Sequence, residues 1–81
     1  MSVGNDLLEN LDKLHTTELG IMRMKRNVSL DTDDVVAWCK VKISSANALI
    51  TRNGKNWYVH ADSCIITINA YSHTIITAHK I

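Results

Sequence analysis

Four histidines (His15, His60, His73 and His79) and two cysteines (Cys39 and Cys64) are the side chains of this chain best suited to hold a metal, move a proton or attack an electrophile. Their spacing argues against most of that chemistry. No two histidines lie three or four residues apart and the cysteines form no CxxC pair, which are the spacings that zinc sites use. A zinc site would have to be assembled across strands, from His60, His79 and Cys64. Nor is there a glycine-rich loop to cradle phosphate, because Gly4, Gly20 and Gly54 are scattered. No metal, cofactor or catalytic set is therefore expected. The nearest approach to catalysis is His79 beside Thr77, Tyr58 and Lys80. A metal-independent ribonuclease needs a base, an acid and a cation for the phosphate. His79, His60 and Lys55 or Arg52 are groups of those types.

Strands must position these residues. From Ala48 onwards the apolar period is 2, and Arg52-Asn53-Gly54-Lys55 is a hairpin signal, because a type I′ turn needs positive φ at both central residues. This turn predicts Ile50 opposite Trp57, Leu49 opposite Tyr58 and Ala48 opposite Val59. Ala61-Asp62-Ser63 is a second turn. Cys64 to Asn69 and Thr74 to Lys80 are two further strands, joined by Ala70-Tyr71-Ser72-His73. One face of the sheet would carry Ala48, Ile50, Trp57, Val59, Cys64, Ile66, Ile68 and Ile76. The other would carry Leu49, Thr51, Asn56, Tyr58, His60, Ile65, Thr67, Asn69, Ile75, Thr77 and His79. Threonine and asparagine alternate on many solvated strands, but asparagine is disfavoured in strand interiors. Asn56 and Asn69 in mid-pattern therefore point to a specific hydrogen-bonding role.

Helices precede the sheet. Asp6 and Glu9 fit a capping box, and Leu7, Leu8, Leu11 and Leu14 recur at helical spacing, which predicts a helix from Leu7 to His15 after a loose Met1–Gly4 tail. Thr16 and Thr17 are caps for a second helix, Glu18 to Asn27, with Leu19, Met22 and Arg26 on one stripe and Gly20 weakening it. Asp33 to Ser44 is a third, burying Val35, Val36, Cys39 and Ile43, with Asp33 and Asp34 favoured in its first turn. The result is an α+β fold: three N-terminal helices packed on one face of a four-stranded antiparallel meander, in one domain spanning residues 1–81. Helices on a single face leave the other face open.

Bulk properties narrow the function classes. The net charge is +1, from nine basic and eight acidic residues, which counts against an extensive nucleic-acid footprint because phosphate neutralisation needs a basic excess. Local patches remain at Arg23, Lys25 and Arg26, and at Arg52 and Lys55. Asp6, Glu9 and Asp12 fall where a signal peptide needs an apolar core, so a cytoplasmic protein with two reduced, packed thiols is expected. No apolar run approaches the ~18 residues of a membrane span. At 81 residues, self-association into a homodimer is a further expectation.

Several strings together resemble a family of short bacterial and phage proteins known as a domain of unknown function. They are Gly54-Lys55-Asn56-Trp57-Tyr58-Val59, Ile66-Thr67-Ile68-Asn69-Ala70-Tyr71-Ser72 and Thr74-Ile75-Ile76-Thr77-Ala78-His79-Lys80, with Thr16-Thr17-Glu18-Leu19-Gly20 leading into Arg23 and Asn27. The resemblance implies a free-standing domain that travels with mobile elements, and it carries over no activity. In layout the chain is also similar to the barnase and RelE-like toxin ribonucleases, although their usual basic charge is missing. The leading expectation is a non-enzymatic binding protein associated with a phage or mobile element. Its open sheet face would hold a partner protein or a nucleotide-like phosphorylated ligand, as an inhibitor of host defence. Asn56, Tyr58, Asn69, Thr77 and His79 are the binding candidates, with Arg52 and Lys55 meeting phosphate or an acidic partner. The alternative expectation is the ribonuclease.

Overall fold

The computed structural model describes residues 5–32 and 34–81. Its elements run α1 (Asn5–Glu9), a 3-10 turn (Leu11–Lys13), α2 (Glu18–Asn27), α3 (Val35–Ile43), β1 (Leu49–Asn53), β2 (Asn56–Ala61), β3 (Cys64–Asn69) and β4 (Ile75–Lys80). The strands form one antiparallel sheet in the order β1-β2-β3-β4. This is the expected α+β architecture.

The helices obey their caps. Thr17 Oγ1 accepts from the Gly20 N–H at 3.1 Å and starts α2 at the expected residue. Asp34 caps α3 by accepting from the Ala37 N–H at 3.1 Å, so the cap is Asp34 itself and the helix begins at Val35. Asp33 and the Met1–Gly4 tail lie outside the described residues. The expected continuous helix from Leu7 to His15 is broken. Asn10 leaves helical geometry (φ −122°, ψ 30°), and its side-chain amide donates to the Asp6 carbonyl at 2.7 Å. An asparagine that bonds the local backbone offers the chain an alternative to the helix, and here the alternative is taken. Asp6 thus sits inside α1 rather than capping it.

The buried side of α2 also differs from the expected stripe. Met24 and Gly20 face the core, while Leu19 and Met22 are 53% and 59% exposed. Gly20 is there for closeness. A β-carbon at this position would collide with Thr16 Oγ1, the hydroxyl that donates to the Ile75 carbonyl at 2.8 Å, so glycine leaves room for the bond that ties the start of α2 to β4. The core then forms between Leu7, Met24, Val35, Cys39 and Ile43 from the helices and Trp57, Val59, Ile66, Ile68, Ile75 and Ala78 from the sheet.

Two details of register differ from the expected pairing. In the first hairpin Ile50 faces Val59, Leu49 faces His60 and Asn53 faces Asn56, so the two-residue loop is Gly54-Lys55, one residue later than expected. Only Gly54 takes positive φ (63°), the pattern of a type II′ turn with glycine first. Moving the turn by one residue keeps parity, so every side chain stays on its assigned face. The type I′ pattern occurs instead at Asp62-Ser63, both at positive φ (50° and 63°), closing β2 onto β3. In β4, Thr77 pairs with Thr67 but Ile75 pairs with Ile68, which makes Ile76 an extra, bulged residue. The bulge inverts the alternation beyond it: Ile75 is 1% exposed in the core and Ile76 only half-buried, the reverse of the expected assignment.

The outer edge of β4 is partly covered. His15 forms a parallel bridge with Thr74: its N–H donates to the His73 carbonyl at 3.3 Å, and its carbonyl accepts from the Ile75 N–H at 2.7 Å. Among the described residues no helix is long and apolar enough to cross a membrane.

Candidate functional site

The pairings of the sheet line up its uncovered face in three rows. One runs Thr51–Tyr58–Thr67–Thr77, the next Leu49–His60–Ile65–His79, and the third Asn53–Asn56–Asn69. Within a row neighbouring strands are about 4.8 Å apart, and rows follow one another about 7 Å along the strands. The hydroxyl row and the imidazole row therefore adjoin. Ile65 lies between His60 and His79, whose backbones are about 10 Å apart, two strand spacings.

The hydrogen bonds sort the candidates. Asn56 Nδ2 donates to the Tyr58 hydroxyl at 3.4 Å, which joins two expected site residues directly. Thr77 Oγ1 accepts from Asn27 Nδ2 at 3.3 Å, so the end of α2 reaches this edge of the face. Asn69 is placed in the same row as Asn56, but its side chain is engaged elsewhere. Its Oδ1 accepts from the Tyr71 N–H at 2.9 Å, the Ser72 N–H at 3.0 Å and the Ser72 hydroxyl at 3.2 Å. An asparagine folding its own turn accounts for the unusual residue in the strand pattern. His60 is half-buried and His79 exposed, and among the described residues no hydrogen bond reaches either ring.

Arg52 is placed apart from this group. It pairs with Trp57 and shares that residue's face, with its guanidinium carbon 5.7 Å from the Trp57 ring and 5.6 Å from the Tyr71 ring. Lys55 sits in the β1–β2 turn, five residues before His60, or roughly 17 Å of strand. The cations that a ribonuclease would set on the phosphate are thus at the far end of the sheet from His60 and His79. Lys80 pairs with Cys64, off the imidazole row. Cys64, buried, is on the opposite face to His60 and His79, and among the described residues no three His, Cys, Asp or Glu side chains cluster as metal ligands.

Neither cysteine is placed for nucleophilic work. Burial pushes the Cys39 thiol from its ordinary 9.0 up to about 12, and its S–H donates to Met24 Sδ at 3.7 Å inside the core. Asp62 moves the other way. The hydrogen bond from Lys42 (2.7 Å), then that from Asn47 (3.3 Å) and the Lys42 charge hold its carboxyl below the usual range. That set ties α3 to the β2–β3 turn and is structural.

The spacing of residues did not reveal the group around Tyr71. His15 Nε2 meets Thr74 Oγ1 at 3.0 Å, and Thr74 Oγ1 meets Ser72 Oγ at 2.8 Å, linking the α1–α2 connection to the β3–β4 turn. The one local signal was Asn69 three residues before Ser72, an Asx-turn spacing. A shallow cleft of about 470 Å³ lies elsewhere, along α3, lined by Thr32, Asp34, Ala37, Trp38, Val41 and Lys42.

No curated protein and no solved structure matches the chain. The family described as "Protein of unknown function (DUF3781)" matches residues 8–79, nearly the whole length and every strand that builds these rows. The chain belongs to that family.

Proposed function

We propose that the protein is a small non-enzymatic binding module that captures a partner protein on the uncovered face of its sheet. The observation that carries this reading is the pair of adjoining rows. Tyr58 and Thr77, with the buried Thr67 between them, lie beside His60, Ile65 and His79, and neither imidazole has a hydrogen-bond partner among the described residues. Apolar area at Leu49 and Ile65 is interleaved with hydroxyl and imidazole groups, the composition of a protein interface, with Tyr58 as the aromatic anchor. A strand face fits a protein surface better than it encloses a small molecule, since ligand sites are concave. The small size, the near-neutral charge and the separation of the histidines from Arg52 and Lys55 support binding over catalysis. In a protein that resembles those of phages and mobile elements, the role we infer is to block a component of host defence in the cytoplasm.

Native mass spectrometry of the protein from its own kind of host tests this. A stoichiometric partner is expected, and a second copy of the chain would be recognised by its mass. In folded protein, Tyr58→Ala and His79→Ala should each weaken the partner, Tyr58→Ala by about 30-fold as a hot-spot anchor. Unchanged affinity in both would sink the assignment.

A further inference from the structure

The far end of the sheet carries a second group of side chains, independent of the open face. The β1–β2 and β3–β4 turns are tied there by the Ala70 N–H donating to the Lys55 carbonyl at 2.7 Å. Arg52 lies within cation–π distance of two rings, Trp57 and Tyr71, at 5.7 and 5.6 Å. Its Nε–H donates to the Gly54 carbonyl at 2.9 Å, which fixes the guanidinium. Among the described residues no carboxylate pairs with Arg52 or Lys55, and no further acceptor meets the two terminal NH₂ groups. Trp57 is 2% exposed and anchors the stack, while Tyr71 is 75% exposed. The Trp57 ring also packs against His73 at 5.5 Å, and the His73 Nε2 is buried without a hydrogen-bond partner.

The exposed Tyr71 ring offers a face on which a base can stack, and a guanidinium held rigid with its NH₂ edge unpaired is a ready hydrogen-bond donor to phosphate. Lys55 adds a second positive charge on the adjoining turn. We propose that this end of the sheet binds a single nucleotide unit, its phosphate on Arg52 and Lys55 and its base stacked on Tyr71. The unit is either a free nucleotide or one residue of a single strand. Stacking on an exposed aromatic beside cations is the sequence-tolerant way such units are held. Two cations define a footprint of one or two phosphates, which suits a chain of net charge +1.

Titration of the full chain with 5′-AMP, adenosine, inorganic phosphate and a short single-stranded oligo-A, followed by NMR of the Arg52 Nε–H and Trp57 indole signals, tests the assignment. 5′-AMP is expected to shift both signals and to bind at least about tenfold more tightly than adenosine or phosphate. Tyr71→Ala should weaken it about 30-fold, the middle of the stacking range. Arg52→Lys, which keeps the charge and loses the fork, should weaken it comparably, Lys55→Ala less, and His79→Ala not at all. Should Arg52→Lys disturb the Trp57 packing, the two surface variants still decide. Equal affinity for AMP and the strand identifies a free nucleotide. A tighter strand, with a salt slope of about −1.4 for two phosphates, identifies nucleic acid. The proposal is overturned if neither nucleotide ligand shifts the two signals, if adenosine matches AMP, or if Tyr71→Ala binds like the wild type. An acidic peptide that shifts the signals where nucleotides do not overturns it too.

Discussion

Gly20→Ala should destabilise this protein, although alanine is the better helix former. The new β-carbon meets Thr16 Oγ1, the hydroxyl that donates to the Ile75 carbonyl at 2.8 Å and holds the α2 N-terminus against β4. That hydroxyl must swing away. Leaving a part-buried carbonyl without its donor costs about 1–3 kcal/mol. The helix gains at most about 1 kcal/mol from the loss of glycine. The net loss is therefore about 1 kcal/mol, which lowers Tm by about 4–8 °C in a domain of this size. In a Thr16→Ala background the obstructing atom is already gone, and the next atoms stand at 3.4 and 3.5 Å, ordinary contacts. There Gly20→Ala should become stabilising, by up to about 1 kcal/mol. Urea denaturation followed by circular dichroism on the four proteins of the cycle gives both numbers. The reasoning fails if Gly20→Ala stabilises the wild type, or if its effect has the same sign and size in both backgrounds.

Ser63→Gly should stabilise by about 0.5–1 kcal/mol: it relieves about 1–2 kcal/mol of left-handed backbone at φ 63° and gives back part of that as chain entropy, read as a rise in Tm. The lowered Asp62 pKa contributes stability that is complete above the ordinary carboxylate value and is lost as pH falls through the folded value. Asp62→Asn should accordingly flatten that part of the acid limb of a stability–pH curve, and an unchanged limb would refute the Lys42 coupling. With its thiol at about 12, only about one Cys39 in ten thousand is a thiolate at pH 8, so iodoacetamide should label it at the rate of unfolding rather than at that of a free thiol. RNA incubated with pure protein should remain intact, and cleavage abolished by His79→Ala would overturn the separation of base and phosphate cation described above.

The helices and strands were legible wherever one residue type decides the local geometry. Thr17 caps α2 whatever it packs on, and period-2 alternation assigned Trp57, Val59, Ile66 and Ile68 to the core correctly. What escaped was set by competition between near-equal options. Asn10 could continue a helix or bond the Asp6 carbonyl, and a single 2.7 Å bond decides it. The Ile76 bulge has no signature in Thr-Ile-Ile-Thr, since isoleucine suits either face, and tertiary packing selects which one is buried. The β1–β2 loop slid by one residue because glycine can serve at either central position of a hairpin turn. Of the site, Asn56 and Tyr58 were found together because they are two apart on one strand. Tyr71 and His73 were missed because a turn, not a periodic element, carries them to Trp57.

The pleat of the sheet also decides whether the two proposed surfaces can interfere. Arg52 aligns with Trp57 and Ile68, and His79 aligns with Ile65, three residues further along β3. Three residues of strand is about 10 Å, and the odd count puts the two side chains on opposite faces. A nucleotide on Arg52 therefore touches no atom of the imidazole row, and a protein seated on His60 and His79 leaves Tyr71 uncovered. Losses at sites this far apart without shared partners add. Asn56 is where that independence could break, because it joins the Tyr58 hydroxyl on the open face to the strand end beside Lys55. Among the described residues, nowhere else in the sheet does a side-chain hydrogen bond connect the tip to the open face's hydroxyl row, so Asn56→Ala is the substitution that tests whether a nucleotide at the tip and a partner on the face are coupled.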